Sequence, residues 1–300
     1  MKREQSKSGK NKKDIIFEAV CLGVALILTL LVLYPVVYVV SASFSSPTSL
    51  LKGEVWLWPV KPTLAGYEAV FEYRNVWIGY GNTIFYTLTG TLLNVVMTMI
   101  CAYPLSRPNL PGRGIIMKIF TFTMLFGGGL IPNYMWMKTL GLLDTRWALL
   151  LPTAMSVYNM IVARTFIQNN IPEELYEAAV LDGCNDYHFF GDIVLPLSKA
   201  VMAVLALWYA VGHWNAYFDA FIYLKNKNLY PLQIFLKDVL VSNSFSTADM
   251  MNPESYTDVV NLKLILKYAL IVVSAAPMCM LYPFVQKYFV KGVTIGSVKG

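Results

Sequence analysis

Six long apolar runs, separated by shorter and more polar segments, follow one another along this 300-residue chain. A helix needs about 20 mostly apolar residues to cross the hydrocarbon core of a bilayer, which is about 30 Å thick. Helices suit this environment because they satisfy their own backbone polar groups within lipid. The pattern therefore predicts an all-α integral membrane protein with six transmembrane helices, at about Ile15–Val40, Asn82–Leu105, Ile115–Trp136, Trp147–Ala163, Leu195–Leu224 and Tyr268–Gln286.

The third predicted span contains a run of three glycines, Gly127–Gly129, and then Pro132. Small residues inside a span let a neighbouring helix approach closely, or they mark a local break in the helix. A phosphate-binding loop is excluded here because no lysine lies near the glycines. The run therefore predicts either a close helix crossing or a break.

The composition agrees with a membrane location. Hydrophobic residues make up 56% of the chain and charged residues only 14%, whereas soluble domains carry about 25% charged residues. The net charge of +6 does not indicate nucleic-acid binding, because six of the basic residues lie in the first thirteen positions. A basic run beside an apolar segment is typical of a solvated tail that also sets membrane orientation.

The basic residues predict the orientation of the chain. The N-terminal tail should stay in the cytoplasm, and six spans then return the C-terminus to the same side. No signal-peptide cleavage pattern follows the first apolar run, so we expect that run to remain as a span. The predicted organisation is a basic cytoplasmic tail at 1–14, a six-span domain at 15–290 and a cytoplasmic tail at 291–300.

The predicted cytoplasmic segment Thr165–Ser198 contains six acidic residues and neither Lys nor Arg. Its pattern predicts a helix, a turn and a second helix. Pro172 suits a first helical position and Gly183 suits a helix end, while the second helix is expected at Asp186–Asp192. On the first helix one small-sided face is predicted, formed by Leu175, Ala178, Ala179 and Asp182. Such a face packs either against the protein's own helices or against another protein.

Several positions in this segment match a known motif. Glu177, Ala178 and Ala179 are followed by Gly183, Ile193 and the pair Leu195-Pro196. This arrangement resembles the EAA loop of bacterial ABC importer permeases, and the resemblance extends over most of the chain. It includes Asn82-Thr83, Trp214-Asn215 and the C-terminal GSVKG. The sequence differs at Ser198–Ala200, where many relatives have a proline, and we expect this to alter the start of the fifth helix.

The resemblance implies a type I ABC importer permease architecture in the bacterial cytoplasmic membrane. The loop at 172–198 would be the coupling helix, which seats in a groove of a separate ATPase subunit. The residues implied in that contact are Glu177, Ala178, Ala179, Asp182 and Gly183. The implied partners are a second permease subunit in a heterodimer, two ATPase subunits, an extracytoplasmic solute-binding protein, an oligosaccharide and the lipid bilayer.

The sequence itself contains no GxxxxGK[ST] phosphate loop, no Ser/His/Asp set and no metal-ligand cluster. We therefore expect a chain that is not an enzyme and carries no cofactor of its own. An energy-coupled role then requires partners, and the resemblance implies ATP and Mg²⁺ on the ATPase subunits.

Polar side chains within membrane spans are candidates for function because burying them in lipid is costly. The richest stretch is Gly212–Phe221 in the fifth span. Its candidate substrate-path residues are His213, Trp214, Asn215, Tyr217 and Asp219, and the second span adds Asn94. Planar hydrogen-bonding groups and aromatic faces suit a glycan. The alternative is that these side chains only form hydrogen bonds between helices.

Two segments on the predicted outer side are long, Ala42–Gly81 and Lys225–Leu262. The resemblance implies that they meet the solute-binding protein, and the alternative is a cap over the helix ends. The tail Lys291–Gly300 would reach the ATPase or form a frayed terminus.

The sequence thus predicts the permease subunit of an ATP-driven oligosaccharide importer. The alternatives are an ion-coupled secondary transporter and an ABC permease for a non-sugar solute. An ion-coupled transporter should show internal repeats and mid-membrane carboxylates, and few acids lie in the spans. A membrane enzyme is disfavoured because no catalytic set of residues is visible.

Overall fold

The computed structural model describes residues 12–241 and 264–280. Every regular element within these two ranges is helical. Most of the predicted basic tail, much of the segment Lys225–Leu262, the end of the sixth span and the tail 291–300 lie outside the described residues.

The helices follow one another with short connections. They are α1 Lys12–Ser43, α2 Pro47–Leu51, α3 Ala65–Glu72, α4 Arg74–Ser106, α5 Arg113–Leu125, α6 Leu130–Thr139, α7 Trp147–Leu150, α8 Val157–Asn170, α9 Glu173–Leu181, α10 Asp186–Leu197, α11 Lys199–Asn215, α12 Phe218–Tyr223, α13 Leu232–Val241 and α14 Leu264–Met280. A short 3₁₀ turn lies at Lys227–Leu229, and the middle of α10, Phe189–Val194, is a π-helix. The chain divides into two compact units, 1–70 with 244–272 and 71–243 with 273–300.

The first unit contains α1, α2 and most of α3. The apolar side chains of α1 are exposed from Ile15 to Val36, as expected for a helix surrounded by lipid. At its end Ser43 Oγ lies 2.7 Å from the hydroxyl of Tyr67 in α3. Gly66 of α3 lies close against α14, because a Cβ at that position would be 3.1 Å from the carbonyl oxygen of Ile265.

In the second unit α4 is the central helix, and α8, α11 and α13 pack against it. Met99 and Ala102 of α4, Met160 and Ala163 of α8, and Leu205 of α11 are all buried in one core. Lipid is as apolar as these side chains, so close packing and interhelical hydrogen bonds hold such helices together. This core sets the geometry of both candidate sites described below.

The helix α4 begins at Arg74, well before the predicted start of the second span at Asn82. Asn82 and Thr83 are buried inside the bundle, not placed at its edge. Asn82 donates to the carbonyl of Asn228 at 2.7 Å, and Thr83 Oγ1 accepts a hydrogen bond from the backbone N–H of Leu232 at 2.9 Å. Since both polar groups have partners, a helix can carry them through its buried middle.

Three predicted spans are interrupted. The third bends by 112° between α5 and α6, at the glycine run, where Gly129 has φ +85°, so the prediction of a local break is confirmed. The fourth prediction, a continuous helix over Trp147–Ala163, is wrong. Helix α7 ends at Leu150, and α8 begins at Val157 after Ser156, whose hydroxyl accepts the Asn159 N–H.

The fifth predicted span, Leu195–Leu224, is also not one helix. The chain bends by 77° between α10 and α11, where Ser198 joins them, and α11 ends at Asn215 before the short α12. Seventeen helical residues in α11 measure only about 25 Å at 1.5 Å per residue.

Two helices are long and apolar enough to cross a membrane within the described residues, Lys13–Ser43 and Arg74–Ser106. The number rises to four if each bent pair counts as one span. The six-span count and the cytoplasmic placement of both termini stay predictions.

Candidate functional site

The acidic segment forms the helical turn that its sequence predicts. Helix α9 begins at Glu173, directly after Pro172, which is the extended residue before the helix and not its first turn. It ends at Leu181, and Gly183, which follows the cap residue Asp182, has φ +81°. The Gly183 N–H donates to Val180 and the Cys184 N–H donates to Ala179, both at 2.9 Å. These two bonds form a Schellman motif, which requires the left-handed conformation that glycine adopts without strain.

The second helix of this segment is longer than predicted. Asn185 caps it, because its side-chain oxygen accepts the His188 N–H at 2.9 Å. It then continues past Asp192 to Leu197 through the π-helix Phe189–Val194. The wider turn places Phe189 in the protein core.

The predicted small-sided face of α9 is divided between two surroundings. Leu175, Ala178 and Asp182 are exposed, as are Glu177 and Gly183. Ala179 instead is half-buried and packs against the protein's own core. Of the five residues predicted to contact an ATPase, four are thus exposed, and the fifth, Ala179, packs α9 against the core.

Two exposed apolar side chains of this segment did not enter the sequence-based set. Leu181 is 87% exposed and Tyr187 is 89% exposed, one on each side of the Gly183 turn. Exposed large apolar side chains are candidates for a contact with another protein when they form a contiguous patch. A signal was present in the sequence, because both residues flank the motif glycine.

The segment is tied to the end of α4 by Arg107. The guanidinium of Arg107 lies 3.0 Å from Glu173 Oε1, and its Cζ lies 3.5 Å from the centroid of the Tyr176 ring. The Tyr176 hydroxyl donates to Asp186 Oδ1 at 3.0 Å. Because this bond favours the neutral hydroxyl, it raises the pKa of Tyr176.

A second candidate site is a cavity of about 470 Å³ among α4, α7, the α7–α8 connection, α11 and α12. Its wall combines aromatic rings with a few polar groups, namely Tyr86, Thr153, Ser156, Trp208, Tyr209, His213 and Asp219. Ligand pockets commonly have this composition, in which apolar and aromatic surface predominates and a few polar groups fix orientation.

A hydrogen-bond network lies behind the cavity wall. His213 Nε2 lies 2.6 Å from Asn94 Oδ1, and the Asn94 amide donates to the carbonyl of Thr153. The Tyr209 hydroxyl lies 2.7 Å from Thr98 Oγ1 and accepts the Ser156 N–H at 3.1 Å. These bonds hold α4, α11 and the α7–α8 connection in register around the cavity.

The structure separates the predicted substrate-path residues. His213 and Asp219 line the cavity, and Asn94 is buried behind His213. Trp214 is buried on another side, where its Nε1–H donates to the carbonyl of Ser274. Asn215 and Tyr217 are exposed, and neither lines the cavity; the Asn215 amide donates to Val211 in its own helix.

The sequence did not indicate Tyr209, Trp208 or Tyr86 as lining residues. Aromatic residues are frequent throughout the spans, so only the packing of α11 against α4 selects these three. Within residues 12–241 and 264–280, no group of three His, Cys, Asp or Glu side chains is arranged to hold a metal ion.

Comparison with known proteins gives consistent matches over nearly the full chain. The family model "Binding-protein-dependent transport system inner membrane component" matches residues 76–295. The chain is 38% identical over 288 residues to the polygalacturonan/rhamnogalacturonan transport system permease protein YtcP of Bacillus subtilis, with 96% of this chain and 100% of the relative covered. It is 39% identical over 266 residues to protein LplC of the same organism, with 89% of each covered.

A solved structure matches as well. It is a bacterial ABC transporter involved in the import of the acidic polysaccharide alginate, and it superposes with a TM-score of 0.86. The sequence identity is 34%, and 93% of this chain and 99% of that chain are covered.

Proposed function

This chain belongs to the family of binding-protein-dependent transport system inner membrane components, and we propose that it carries oligosaccharides across the bacterial cytoplasmic membrane as a permease subunit of an ATP-driven importer. The observation that carries the proposal is the full-length similarity to a polysaccharide-fragment permease together with the exposed EAA-type loop. The transport systems that the relative and the solved structure belong to both handle saccharides.

The chain acts with partners that supply energy and substrate. Two ATPase subunits bind ATP and Mg²⁺ on the cytoplasmic side, and this chain has no hydrolytic activity of its own. A second permease subunit completes a heterodimeric pathway, and a solute-binding protein delivers the sugar from outside. The exposed Trp56 and Trp58 in the segment Ala42–Gly81 are candidates for that outer contact, because aromatic residues are enriched at protein interfaces.

The loop at 172–198 is the contact with the ATPase. Glu177, Ala178, Asp182 and Gly183 offer an exposed, small-sided and acidic surface, and Leu181 adds an apolar side chain. Acidic groups at such a surface pair with basic groups of a groove and so favour one orientation. Ala179 holds α9 against its own protein, so that movement of the loop is passed inward.

The cavity beside His213 is the part of the sugar pathway that this chain contributes. Tyr86, Trp208 and Tyr209 present aromatic surface, and His213 and Asp219 present polar atoms. No Lys or Arg lies among its lining residues. If the sugar is acidic, its carboxylates are therefore bound by the second permease subunit or by the binding protein.

Transport proceeds by alternating access. The loaded binding protein docks outside, ATP brings the two ATPase subunits together, and the coupling loops move with them. The permease pair opens outward, accepts the sugar, and returns to the inward-open state after hydrolysis. Each step is a rigid-body change between two packings of the helices.

The test is uptake into proteoliposomes that contain the purified complex, ATP inside and the binding protein outside. A panel of neutral and acidic oligosaccharides identifies the sugar, and we expect uptake of at least one to require ATP. Glu177→Arg should lower that uptake at least tenfold, while Asp14→Arg, a charge reversal at an exposed site outside the loop, should leave it unchanged.

Other outcomes would contradict the proposal. Uptake driven by an ion gradient without ATP would indicate a secondary transporter. ATP-dependent uptake of a different solute class with no sugar transported would retain the importer and reject its sugar specificity. Equal uptake by both charge-reversal variants would reject the docking role of the loop.

A further inference from the structure

We infer that Arg107 is a positioning residue that clamps the coupling loop to α4 and so passes the movement of the ATPase to the cavity near His213. This inference rests on the proposed function, and it concerns a residue outside the EAA motif. Four sets of contacts support it, and all of them lie in the second compact unit.

The first set is the clamp itself. Arg107 directly follows α4, and its side chain is only 16% exposed. The guanidinium contacts Glu173 at the start of α9 by an ion pair of 3.0 Å. It also lies over the ring of Tyr176, one turn later in α9, with Cζ 3.5 Å from the ring centroid. One side chain thus holds the first turn of the coupling helix at two points.

The second set ties the other arm of the loop to the same helix end. Asp186, in the first turn of α10, accepts hydrogen bonds from Tyr176 of α9 at 3.0 Å and from Tyr103 of α4 at 3.4 Å. Tyr103 also contacts Phe190, with ring centroids 5.1 Å apart. Both helices that flank the Gly183 turn are therefore attached to the last turn of α4, and the loop cannot rotate independently of it.

The third set makes that helix end rigid. The last carbonyl groups of a helix have no partner within the helix, and here side chains from neighbouring helices supply one. Arg164 donates to the Leu105 carbonyl at 2.8 Å, Gln168 to the Ser106 carbonyl at 3.1 Å and Arg113 to the Arg107 carbonyl at 3.1 Å. A force applied to Arg107 consequently moves α4 and does not merely unwind its last turn.

The fourth set connects α4 to the cavity. The helix continues without a break from Ser106 to Asn94 and beyond, a distance of roughly 20 Å at 1.5 Å per residue. Along it Thr98 contacts Tyr209, and Asn94 contacts His213. Displacement of the clamped end therefore reaches two residues that line the cavity.

The clamp requires arginine in particular. A planar guanidinium can pair with a carboxylate and stack on a ring at the same time, whereas the compact ammonium of lysine keeps the charge and loses the stacking. Arg107→Lys therefore weakens the clamp while it preserves the charge opposite Glu173. Lys118→Arg is the control for exchanging one basic side chain for another, because Lys118 is exposed on α5 and lies outside the loop and the cavity lining.

The experiment measures sugar uptake and ATP hydrolysis in the same proteoliposomes of the complete complex. We expect Arg107→Lys to retain at least half of the wild-type ATPase activity and to transport at least fivefold less sugar per ATP hydrolysed. Tyr176→Phe, which keeps the ring and loses the bond to Asp186, should lower this ratio less. Lys118→Arg should not lower it. A proportional fall of uptake and hydrolysis in Arg107→Lys would indicate a docking or folding defect and overturn the inference, as would an unchanged ratio.

A second readout does not need the sugar. The four native cysteines are replaced by alanine and a single cysteine is placed at Thr153, which lines the cavity. We expect its rate of thiol labelling to change when nucleotide is trapped on the ATPase, and this change to fall at least threefold with Arg107→Lys. If the labelling rate changes as expected and no sugar is transported, the proposed substrate is rejected and the inference about Arg107 stands. If the change persists with Arg107→Lys, the inference fails.

Discussion

His213 and Asn94 meet across the contact between α11 and α4, with 2.6 Å between His213 Nε2 and Asn94 Oδ1. His213 faces the cavity, while Asn94 is buried behind it and also donates to the carbonyl of Thr153. The pair thus joins two long helices and the α7–α8 connection. His213 thus lines the cavity, whereas Asn94 forms hydrogen bonds between helices, which is the alternative role that the sequence left open.

The coupling between these two residues can be measured. We expect Asn94→Ala, His213→Ala and the double variant to give an interaction free energy of about 0.6 kcal/mol and at most about 1.7 kcal/mol, as for hydrogen bonds between membrane helices. The measurement is the free energy of unfolding of the purified protein in detergent. The bond from Asn94 to Thr153 is absent from both Asn94→Ala and the double variant. Its contribution therefore cancels, and the cycle measures only the contact between Asn94 and His213. Strictly additive costs would show that the contact contributes nothing.

Gly90 permits the close approach that brings His213 against α4. A Cβ at position 90 would lie 2.6 Å from His213 Cε1, which is closer than side chains tolerate. We expect Gly90→Ala to displace the ring and to lower the free energy of unfolding by about 1–3 kcal/mol, the usual cost of overpacking, with reduced sugar uptake.

The matched control for Gly90→Ala is Gly81→Ala in the same helix. A Cβ at position 81 has no atom of the described residues within 4 Å. Thermal unfolding in detergent and uptake should both stay near wild-type values in this control. Because alanine favours the helix more than glycine does, equal losses in the two variants would show that the contact with His213 does not govern the result.

Gly183 sets the direction of the chain between α9 and α10. Because its φ is +81°, Gly183→Ala should cost about 1–2 kcal/mol of local strain and disturb the exposed surface of the loop. We expect weaker binding of the ATPase in pull-down of the complex and at least fivefold lower uptake. Gly191→Ala is the control, since Gly191 has no positive φ and a Cβ there meets no described atom within 4 Å. If both variants bind the ATPase equally well, the turn is not essential for docking.

Asp144 joins two loops through its carboxylate. Its Oδ1 accepts the backbone N–H groups of Lys225 and Asn226 at 2.9 Å and 2.8 Å. These bonds hold the pKa of the Asp144 carboxyl below its usual value. The carboxylate therefore adds stability above its unfolded-state pKa of about 3.9, and this stability is lost as the pH falls through the lower folded-state value.

Asp144→Asn should remove this pH dependence. The amide oxygen can still accept both bonds, and asparagine tolerates the left-handed backbone at φ +59°. We expect the melting temperature of the wild type in detergent to fall more steeply than that of the variant as the pH is lowered below about 4. Glu72→Gln serves as the control for removing an exposed acid. Parallel pH profiles of wild type and Asp144→Asn would contradict the assignment.

Local signals predicted the helical conformation of the segment at 172–198 well. The helix at Glu173–Leu181, the turn at Gly183 and the break at Gly127–Gly129 follow from residues that are adjacent in the chain. Capping and backbone preference act over three or four residues, so the sequence contains all the information they need. The family was accessible for the same reason, because the EAA motif is one short segment.

Long-range contacts were not accessible in this way. Hydropathy predicted continuous spans at Trp147–Ala163 and Leu195–Leu224, because it measures transfer into lipid and does not register bends that neighbouring helices stabilise. It also placed Asn82 at the start of a span, although partners almost 150 residues away satisfy this side chain deep in the bundle.

The sequence by itself determined the membrane class, the helical fold and the helix–turn–helix conformation of the segment at 172–198. Only the tertiary structure decided that Ala179 faces inward and that Arg107 contacts Glu173 and Tyr176 of α9. It also decided which predicted substrate-path residues line the cavity, namely His213 and Asp219. The physical reason is that propensity and burial act on each residue and its near neighbours. The partner of a buried polar group, in contrast, depends on which distant helices pack together.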